Sequence, residues 1–215
     1  MVNKKQDIIN GIKNRSVIAI VRWVERQHLS NLLSTLLKAG ITFAEITFGK
    51  KSDAETFNDL QFAIQNFGDK MHIGAGTVTS ENRMKLAKQA GCGYLISPVL
   101  NTNLIDFCKQ NNLVSVIGAF TPSEIKLAYD SGANFVKVFP SNMFGAKYFK
   151  ELKAPLGEIP LIAFGGVTCE NASEFFSAGA VSVGVGSALI NLELINKGDF
   201  ESIYKIAKRL VDLTK

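Results

Sequence analysis

The unit that decides the fold is contained in the stretch DSGANFVKVFP, which runs from Asp130 to Pro140. An amphipathic segment ends at Gly132, and a glycine in the left-handed conformation commonly ends a helix. A short run of β-branched and aromatic residues, Phe135–Pro140, follows and is typical of a buried strand. The stretch therefore predicts a helix, a glycine cap and then a strand.

The same unit recurs through the whole chain, with further glycines placed as caps at Gly40, Gly91 and Gly179. Strand candidates follow one another at intervals of roughly 20 to 30 residues, the spacing of a strand plus a crossover helix. The eight candidates are Val17–Trp23, Phe43–Phe48, His72–Val78, Tyr94–Val99, Val114–Phe120, Phe135–Pro140, Pro160–Val167 and Val181–Ser187.

Amphipathic helical patterns lie between these strand candidates. They cover Leu29–Ala39, Ala54–Asn66, Ser80–Ala90, Thr102–Asn111, Pro122–Ser131 and Asn171–Ala178. Thr121 and Glu124 have the spacing of a capping box. Met1–Arg15 predicts an extra helix at the bottom of the fold, and Phe200–Leu213 predicts the closing helix.

Eight strands that are buried on both faces, each followed by a helix, indicate an α/β fold with a parallel sheet. We predict a TIM (β/α)8 barrel with an extra N-terminal helix, forming one domain over residues 1–215. The main rival is an open doubly wound sheet. Such a sheet would usually carry a dinucleotide fingerprint after its first strand, and Trp23–Arg26 contains no glycine.

Composition limits the classes of partner. The first ten residues lack the apolar core of a signal peptide, and no later stretch stays apolar for the roughly 20 residues that span a bilayer, so we expect a cytoplasmic protein with no membrane partner. The net charge is +5, but the lysines are scattered among acidic residues, which argues against a nucleic-acid partner. A small anionic substrate is the expected partner.

The cysteines and histidines offer no pattern for a metal site. Cys92, Cys108 and Cys169 are widely spaced and odd in number, which fits reduced thiols better than a disulfide framework. No Cys-x-x-Cys occurs, and His28 and His72 are too far apart in sequence to form a local ligand pair. We therefore expect neither a metal nor another cofactor.

In a barrel of this kind the active site forms at the C-terminal ends of the strands, so polar residues there are informative. They are Arg22, Glu45, Thr47, Thr77 and Lys137. Strand alternation puts Lys137 on the same face as the flanking phenylalanines. A lysine in such apolar surroundings is either an amine nucleophile or a side chain that reaches out to water from the strand end.

Glu45 has two interpretations as well, because a carboxylate in the middle of a strand can pair with Lys137 or Arg22 or act as a general acid and base. Arg22 and Thr77 are either hydrogen-bonding residues at the edge of the core or ligands of a substrate carboxylate. We interpret Trp23 and Tyr94 as packing residues.

Glycines at the ends of the last two strands suggest a phosphate site. Gly165 and Gly166 follow the seventh strand, and Gly186 and Ser187 follow the eighth. Each pair leads into a helix or helix-like turn, where backbone N–H groups can approach a phosphate. Phosphate sites in this fold commonly lie after these two strands.

Taken together these residues resemble the family of 2-keto-3-deoxy-6-phosphogluconate and 4-hydroxy-2-oxoglutarate aldolases, including the 6-phosphogalactonate branch. The resemblance covers nearly the whole chain. The segments that carry it are Ala19–Arg22, Glu45–Phe48, Ile73–Val78, Ile96–Pro98, Phe135–Pro140 and Gly165–Val167.

The resemblance implies a class I aldolase with a Schiff-base lysine at Lys137 and a proton-shuttling glutamate at Glu45. It implies that a substrate carboxylate is recognised near Arg22 and Thr77 and that Phe139 flanks the bound pyruvate. The same resemblance places Thr47 and Pro98 among the substrate-binding residues. Family members are usually trimers, so a homotrimer is implied.

The substrate within this family stays open. Phe139–Gly145 is similar to the phosphogalactonate branch, whereas Glu45–Phe48 is similar to the phosphogluconate branch. Many phosphogluconate members have an arginine where this chain has Gly49, and Lys50 is the candidate substitute. Two other functions are kept as alternatives: a sugar-phosphate epimerase or isomerase, for which no pair of acids is found at strand ends, and a non-catalytic phosphosugar-binding barrel.

Overall fold

The computed structural model describes residues 4–214 and contains a closed barrel of eight parallel strands. The strands are β1 (Ser16–Val21), β2 (Phe43–Thr47), β3 (His72–Gly76), β4 (Tyr94–Ser97), β5 (Val114–Ala119), β6 (Phe135–Val138), β7 (Leu161–Phe164) and β8 (Ser182–Val185). They are ordered around the barrel as in the chain, and β1 pairs with β8 to close it. The predicted TIM barrel is confirmed, and the open sheet is excluded.

Helices lie outside the barrel and connect its strands. They are α1 (Lys4–Lys13), α2 (Arg26–Ala39), α3 (Asp53–Phe67), α4 (Glu81–Ala90), α5 (Thr102–Gln110), α6 (Pro122–Asp130), α7 (Gly145–Lys153), α8 (Ala172–Ser177), α9 (Leu192–Asn196) and α10 (Phe200–Asp212). A 3-10 turn over Ser141–Met143 precedes α7. The extra N-terminal helix is confirmed over α1, while the predicted part before Lys4 lies outside the described residues.

The predicted helix ends agree with the structure where a local signal specified them. All four cap glycines have positive φ, between 90° at Gly132 and 99° at Gly40. The capping box is also present: the Thr121 side chain accepts a hydrogen bond from the Glu124 backbone, and the Glu124 carboxylate accepts one from the Thr121 backbone. These short-range interactions fix where one element stops and the next begins.

Two differences from the sequence predictions concern loops and short helices. Every strand ends one to three residues before its predicted end, because the apolar residues beyond that point leave the ladder and form the loops at the barrel mouth. The helices α7 and α9 are not predicted by the patterns above. The first of them begins at Gly145 without a side-chain cap, so the usual signal of a helix start is missing there.

Alternation along the strands divides the apolar residues into two clusters. The inner cluster fills the barrel and includes Ile18, Ile20, Tyr94, Phe135 and Phe164. The outer cluster is larger and lies between the sheet and the helices. Ile8 and Ile12 of α1 belong to the inner cluster, so this helix closes the N-terminal end of the barrel, and the opposite end carries the open cavity.

Candidate active site

Lys137 projects from β6 into the barrel interior, and only 5% of the residue is exposed. Alternation explains this direction, because Phe135 of the same strand belongs to the inner cluster. The Lys137 Nζ atom lies 4.4 Å from the centroid of the Phe164 ring and 4.9 Å from that of Phe139. The amino group is thus flanked by two aromatic faces instead of water.

Glu45 is the second buried charged side chain of the barrel, on β2, with 1% of the residue exposed. Its Oε2 atom has no hydrogen-bond partner among residues 4–214. None of the ion pairs in this part of the chain joins Glu45 to Lys137 or Arg22. The structure therefore does not show the ion pair that was one of the two interpretations of this carboxylate.

Burial shifts the pKa values of both groups toward their neutral forms. It raises the pKa of Glu45 above its ordinary 4.5, although the charges of Lys137 and Arg22 act in the opposite direction. Burial also lowers the pKa of Lys137 below its ordinary 10.5, opposed by the charge of Glu45 and reinforced by that of Arg22. A larger fraction of Lys137 is consequently the free amine, which is the form that attacks a carbonyl.

Two glycines make room for the groups around the amine. A Cβ atom at Gly76 would lie 2.5 Å from the Glu45 Oε1 atom, and one at Gly184 would lie 2.3 Å from the Phe164 ring. Both distances are far below normal van der Waals contact. These strand positions therefore accept glycine alone if the carboxylate and the aromatic ring keep their observed positions.

A cavity of about 610 Å³ opens at the C-terminal ends of the strands, within the size range of small-molecule sites. Seven residues selected from the sequence line it: Arg22, Lys137, Phe139, Gly165, Gly166, Gly186 and Ser187. Among the described lining residues Arg22 and Lys137 supply the positive charges, and Glu193 supplies the one carboxylate. The fold thus brings the predicted amine, cation and glycine loops together around one space.

Arg22 follows β1 directly and is exposed at the cavity. Within residues 4–214 its guanidinium donates no hydrogen bond to a protein acceptor, and its nearest recorded partner is the Trp23 ring, 5.8 Å away. A guanidinium without a protein acceptor can bind a carboxylate or phosphate through two parallel hydrogen bonds. This geometry suits recognition of an anionic ligand.

The two glycine loops present free backbone donors to the cavity wall. Among the described residues the N–H groups of Gly166, Val167, Ser187 and Ala188 donate to no protein acceptor. Gly166 has a φ of 70°, a conformation that favours glycine. The residues after β8 form the expected turn. After β7, however, five residues separate Gly166 from α8. These donors therefore belong to loops and not to the first turn of a long helix.

Ser141 ties the loop after β6 to the neighbouring strand. Its hydroxyl donates to the Val138 carbonyl at 2.7 Å and accepts from the Phe164 backbone N–H at 3.0 Å. Phe164 and Lys137 are thus held on adjoining strands by a buried hydrogen bond as well as by the ladder. No local sequence pattern indicated this residue beyond its place in the family-like segment after Phe139.

Thr47, Thr77 and Pro98 do not line the cavity. Thr47 is buried beside Glu45, and its hydroxyl has no partner among the described residues. Thr77 has a φ of 57°, and its carbonyl accepts a hydrogen bond from Arg83 at 3.2 Å. The predicted substrate-binding roles of these three residues stay predictions.

The loop after β2 lacks a cation that points into the cavity. Lys50 is exposed and does not line the cavity. The Nζ atom of Lys51 lies 2.6 Å from an Asp59 carboxylate oxygen and donates to a backbone carbonyl, so it is engaged in the loop itself. At Gly49 the nearest atom to an added Cβ would be the Trp23 Nε1 atom, at 3.8 Å.

The interpretation of Trp23 as a packing residue is wrong, whereas that of Tyr94 is confirmed. Trp23 is 53% exposed and lines the cavity, because β1 ends at Val21 and Trp23 lies in a bend with a φ of 62°. Tyr94 is fully buried in the inner cluster. A strand pattern cannot distinguish the last residue of a strand from the first residue of the following bend, and Trp23 falls at this boundary.

Comparison with known proteins decides which family has this arrangement. The family model described as KDPG and KHG aldolase matches residues 8–206, nearly the whole chain. The chain belongs to this family. It is an aldolase, and therefore a lyase, as predicted.

Individual members of the KDPG and KHG aldolase family agree with this assignment. The chain is 26% identical to the 2-dehydro-3-deoxy-phosphogluconate aldolase of Haemophilus influenzae over 98% of both chains. It is 30% identical to the 2-dehydro-3-deoxy-6-phosphogalactonate aldolase of Escherichia coli, over 80% of this chain and 83% of that protein. A solved structure named native KDPGal superposes with a TM-score of 0.84 at 29% identity, covering 92% of this chain and 93% of its own.

Two properties of the described residues concern metal binding and membrane crossing. Residues 4–214 contain no cluster of three or more histidine, cysteine or acidic side chains with the geometry to hold a metal ion. Within the same range no helix combines the length and apolar character that crossing a bilayer requires.

Proposed function

We propose that this chain is a class I aldolase that forms a Schiff base through Lys137 and cleaves a phosphorylated 2-keto-3-deoxy sugar acid into pyruvate and glyceraldehyde 3-phosphate. The observation that carries this proposal is a buried lysine, with a lowered pKa, whose amine faces a cavity at the C-terminal end of the barrel. A desolvated amine of this kind is the usual form of a lysine nucleophile.

The first half of the proposed reaction builds an electron sink on the substrate. The neutral amine of Lys137 attacks the C2 ketone and gives a carbinolamine. Glu45, whose neutral form is favoured by burial, gives a proton to the leaving hydroxyl, which departs as water and leaves an iminium. A cationic iminium replaces the neutral ketone and can accept the electron pair of the bond that breaks next.

The second half breaks the carbon–carbon bond. Glu45, now ionised, removes the proton of the C4 hydroxyl, directly or through a water molecule. The C3–C4 electron pair moves to C3 and neutralises the iminium, which gives the enamine of pyruvate and releases the aldehyde. Protonation of the enamine at C3 and hydrolysis of the resulting iminium then release pyruvate and regenerate the amine.

Substrate recognition is assigned to the remaining residues around the amine. We assign the carboxylate to Arg22, whose guanidinium has no protein acceptor among residues 4–214, with Thr47, Thr77 and Pro98 retained as predicted contributors. Phe139, which already lies against the Lys137 amine, flanks the pyruvate portion. These contacts orient the keto acid for attack.

The phosphate is assigned to the loops that contain Gly165, Gly166, Gly186 and Ser187. Support comes from their free N–H donors at the cavity wall and from their position after β7 and β8. Backbone amides of this kind form anion-binding concavities without a charged side chain.

Several finer properties stay predictions. The relatives include aldolases named for the phosphogluconate and for the phosphogalactonate, so the preferred epimer is open. Cleavage of 4-hydroxy-2-oxoglutarate, a homotrimeric assembly and a cytoplasmic location likewise rest on the sequence and the family resemblance. The expected partners are small anionic keto acids, with or without a phosphate.

Pyruvate release from the two phosphorylated epimers and from 4-hydroxy-2-oxoglutarate tests the proposal. The wild-type protein is expected to cleave at least one phosphorylated epimer, and Lys137→Met is expected to fall to the uncatalysed rate. Lys153→Met is the matched control, because burial also lowers the pKa of Lys153 but this lysine lies on α7, outside the cavity wall.

Other outcomes favour the alternative functions. Full activity of Lys137→Met would contradict the Schiff-base mechanism. A folded wild-type protein that interconverts sugar-phosphate epimers without releasing pyruvate would support the epimerase. One that is stabilised by the phosphorylated keto acids, with neither reaction, would support the non-catalytic binding barrel.

A further inference from the structure

Trp23, the one tryptophan of the chain, has an unusual backbone conformation at the edge of the cavity. Its φ is 62°, in the left-handed region that bulky side chains rarely occupy. Residues in this conformation persist where the surrounding structure holds them, and they cluster at ligand-binding sites. Glycine would adopt this backbone without strain, so the presence of tryptophan needs a reason in its side chain.

Core packing is not that reason. The residue is 53% exposed and belongs to neither apolar cluster of the described residues. The Arg22 guanidinium lies 5.8 Å from the ring, and the Nε1 atom lies 3.8 Å from the position of an added Cβ at Gly49. The residue also borders a small pocket that it shares with buried Val21 and Leu29, but 53% of it stays exposed and available to a ligand.

The order of strands places this indole beside the path of the proposed substrate. β1 lies between β8 and β2 in the closed barrel, so Trp23 adjoins the loop of Gly186 and Ser187 on one side and Gly49 on the other. The amine lies on β6, and the free N–H donors follow β7 and β8. Trp23 lines the same cavity as the amine and these donors, so its indole borders the space in which a ligand held at both positions would lie.

We propose that Trp23 is a specificity-determining residue whose indole contacts the carbons between the keto group and the phosphate of a bound sugar-acid phosphate. This inference rests on the proposed function and adds to it the side chain that selects substrates by length. The face of the indole packs on the C–H groups of that segment, and its N–H can donate to a hydroxyl. A rigid aromatic ring gives this contact with little loss of side-chain freedom.

The proposal predicts different effects on long and short ligands. In Trp23→Gly, kcat/KM for the phosphorylated six-carbon substrate is expected to fall about tenfold, the size of one aromatic contact. Pyruvate ends at C3 and lacks the carbons that the indole is proposed to contact, so the pyruvate concentration for half-maximal borohydride trapping is expected to change less than about twofold. Trp23→Phe retains an aromatic face, so its kcat/KM for the phosphorylated substrate is expected to lie between those of the wild type and Trp23→Gly.

Thermal stability separates this role from a structural one. Glycine relieves the left-handed strain, so Trp23→Gly is expected to unfold at the same temperature as the wild type or higher. Asn112→Gly is the matched control, since Asn112 also has a positive φ, of 54°, but precedes β5 at the other end of the barrel. This control is expected to leave the kinetics of both ligands unchanged.

The fluorescence of Trp23 provides a second test of the proposed contact. Because the chain has a single tryptophan, quenching of its fluorescence by the phosphorylated substrate in the Lys137→Met variant would measure contact without turnover. Pyruvate, whose carboxylate is assigned to the neighbouring Arg22, is expected to quench the emission less than the phosphorylated substrate does. Equal quenching by pyruvate and by the phosphorylated substrate would contradict the assignment.

The remaining outcomes distinguish this inference from the proposed function. The inference about Trp23 fails, and the aldolase proposal stands, if the wild type cleaves the substrate but Trp23→Gly affects kcat/KM for the phosphorylated substrate and the trapping of pyruvate equally or not at all. If the wild type releases no pyruvate from any substrate and traps no adduct, the proposed function fails and the inference fails with it.

Discussion

Lys137 and Glu45 place an amine and a carboxyl inside a barrel where water cannot solvate their charged forms. Burial disfavours the ammonium of one and the carboxylate of the other, so each pKa moves toward its neutral form. No ion pair of the described residues compensates either charge. The same desolvation that costs stability prepares the amine for attack and the carboxyl for proton donation.

Glu45→Gln tests both consequences at this scale. Loss of the proton shuttle is expected to lower kcat about 10²–10⁴-fold, while pyruvate can still be trapped slowly on the lysine. Because the folded pKa of Glu45 is raised, this residue does not affect the free energy of unfolding below the ordinary value of 4.5. Between 4.5 and the folded pKa it lowers the free energy of unfolding progressively, because the unfolded chain ionises more readily than the folded one.

The stability difference between the two proteins should therefore depend on pH in one direction. Thermal unfolding measured from pH 4 upward is expected to show Glu45→Gln gaining on the wild type as the pH rises from 4.5 to the folded pKa of Glu45, with a constant difference above it. A difference that stays constant with pH would show that the carboxyl is not desolvated.

The residues at this scale were predicted unevenly from the sequence. Lys137 and Glu45 could be selected because charged residues stand out in apolar strands. Trp23 could not, since its role depends on a backbone angle after β1 that no local pattern specified. The contribution of Ser141 also depends on which strand lies beside the loop, which is a property of the folded barrel.

At the scale of elements, glycines within the strands control how closely side chains approach the site. β3 places Gly76 in register with Thr47, and the missing side chain leaves space for the Glu45 carboxylate. β8 does the same for the Phe164 ring through Gly184. These strands therefore set the space around the predicted catalytic groups as well as supporting them.

Gly76→Ala tests this spacing. The new methyl group would lie 2.5 Å from the Glu45 Oε1 atom, so the carboxylate must move. We expect an overpacking cost of about 1–3 kcal/mol and a fall in kcat of about 10²-fold, as for a catalytic group misplaced by roughly 1 Å.

Gly11→Ala is the control for overpacking alone. A Cβ at Gly11 would meet the Phe43 ring at 2.6 Å, at the end of the barrel that α1 closes. Kinetics of this variant are expected to match the wild type once the protein is folded. An unchanged kcat in Gly76→Ala would contradict the role of Gly76 as the spacer for Glu45.

Elements with a local signal were predictable, and those without one were not. Hydrophobic runs specified all eight strands, the four glycine caps specified where four of the helices end, and the capping box specified where α6 begins. The strand ends were predicted too late because the following loop residues are also apolar. α7 begins without a side-chain cap, and α9 is one short helix inside a loop, so neither had a signal of its own.

On the scale of the whole molecule, the two ends of the barrel have different tasks. α1 closes one end with Ile8 and Ile12, which complete the inner cluster. The other end carries the cavity, which is lined by loop residues and by Lys137 of β6. Stability and activity should accordingly respond to substitutions at different ends.

Ile12→Ala tests this division. The residue is fully buried, so the substitution is expected to destabilise the protein by about 2–5 kcal/mol, measured by denaturant unfolding. Below the unfolding transition kcat and KM are expected to stay at wild-type values. A selective loss of kcat in the folded variant would show that the closed end affects the chemistry, contrary to the division of tasks.

The barrel itself was predictable because one unit is repeated eight times and a closed ring of eight strands buries every strand on both faces. The composition of the cavity wall was predictable in part, from glycines and charged residues at strand ends. Strand order and the paths of the loops decide which of those residues meet in space, and neither can be read from a local pattern. The homotrimer stays a prediction.

The most direct test of the central claim is borohydride reduction in the presence of pyruvate, followed by peptide mass spectrometry. The account predicts one covalent adduct, on Lys137, that requires both pyruvate and borohydride and is absent from Lys137→Met. An adduct on another lysine, or no adduct on a folded protein that releases pyruvate from its substrate, would contradict the assignment of the Schiff base to Lys137.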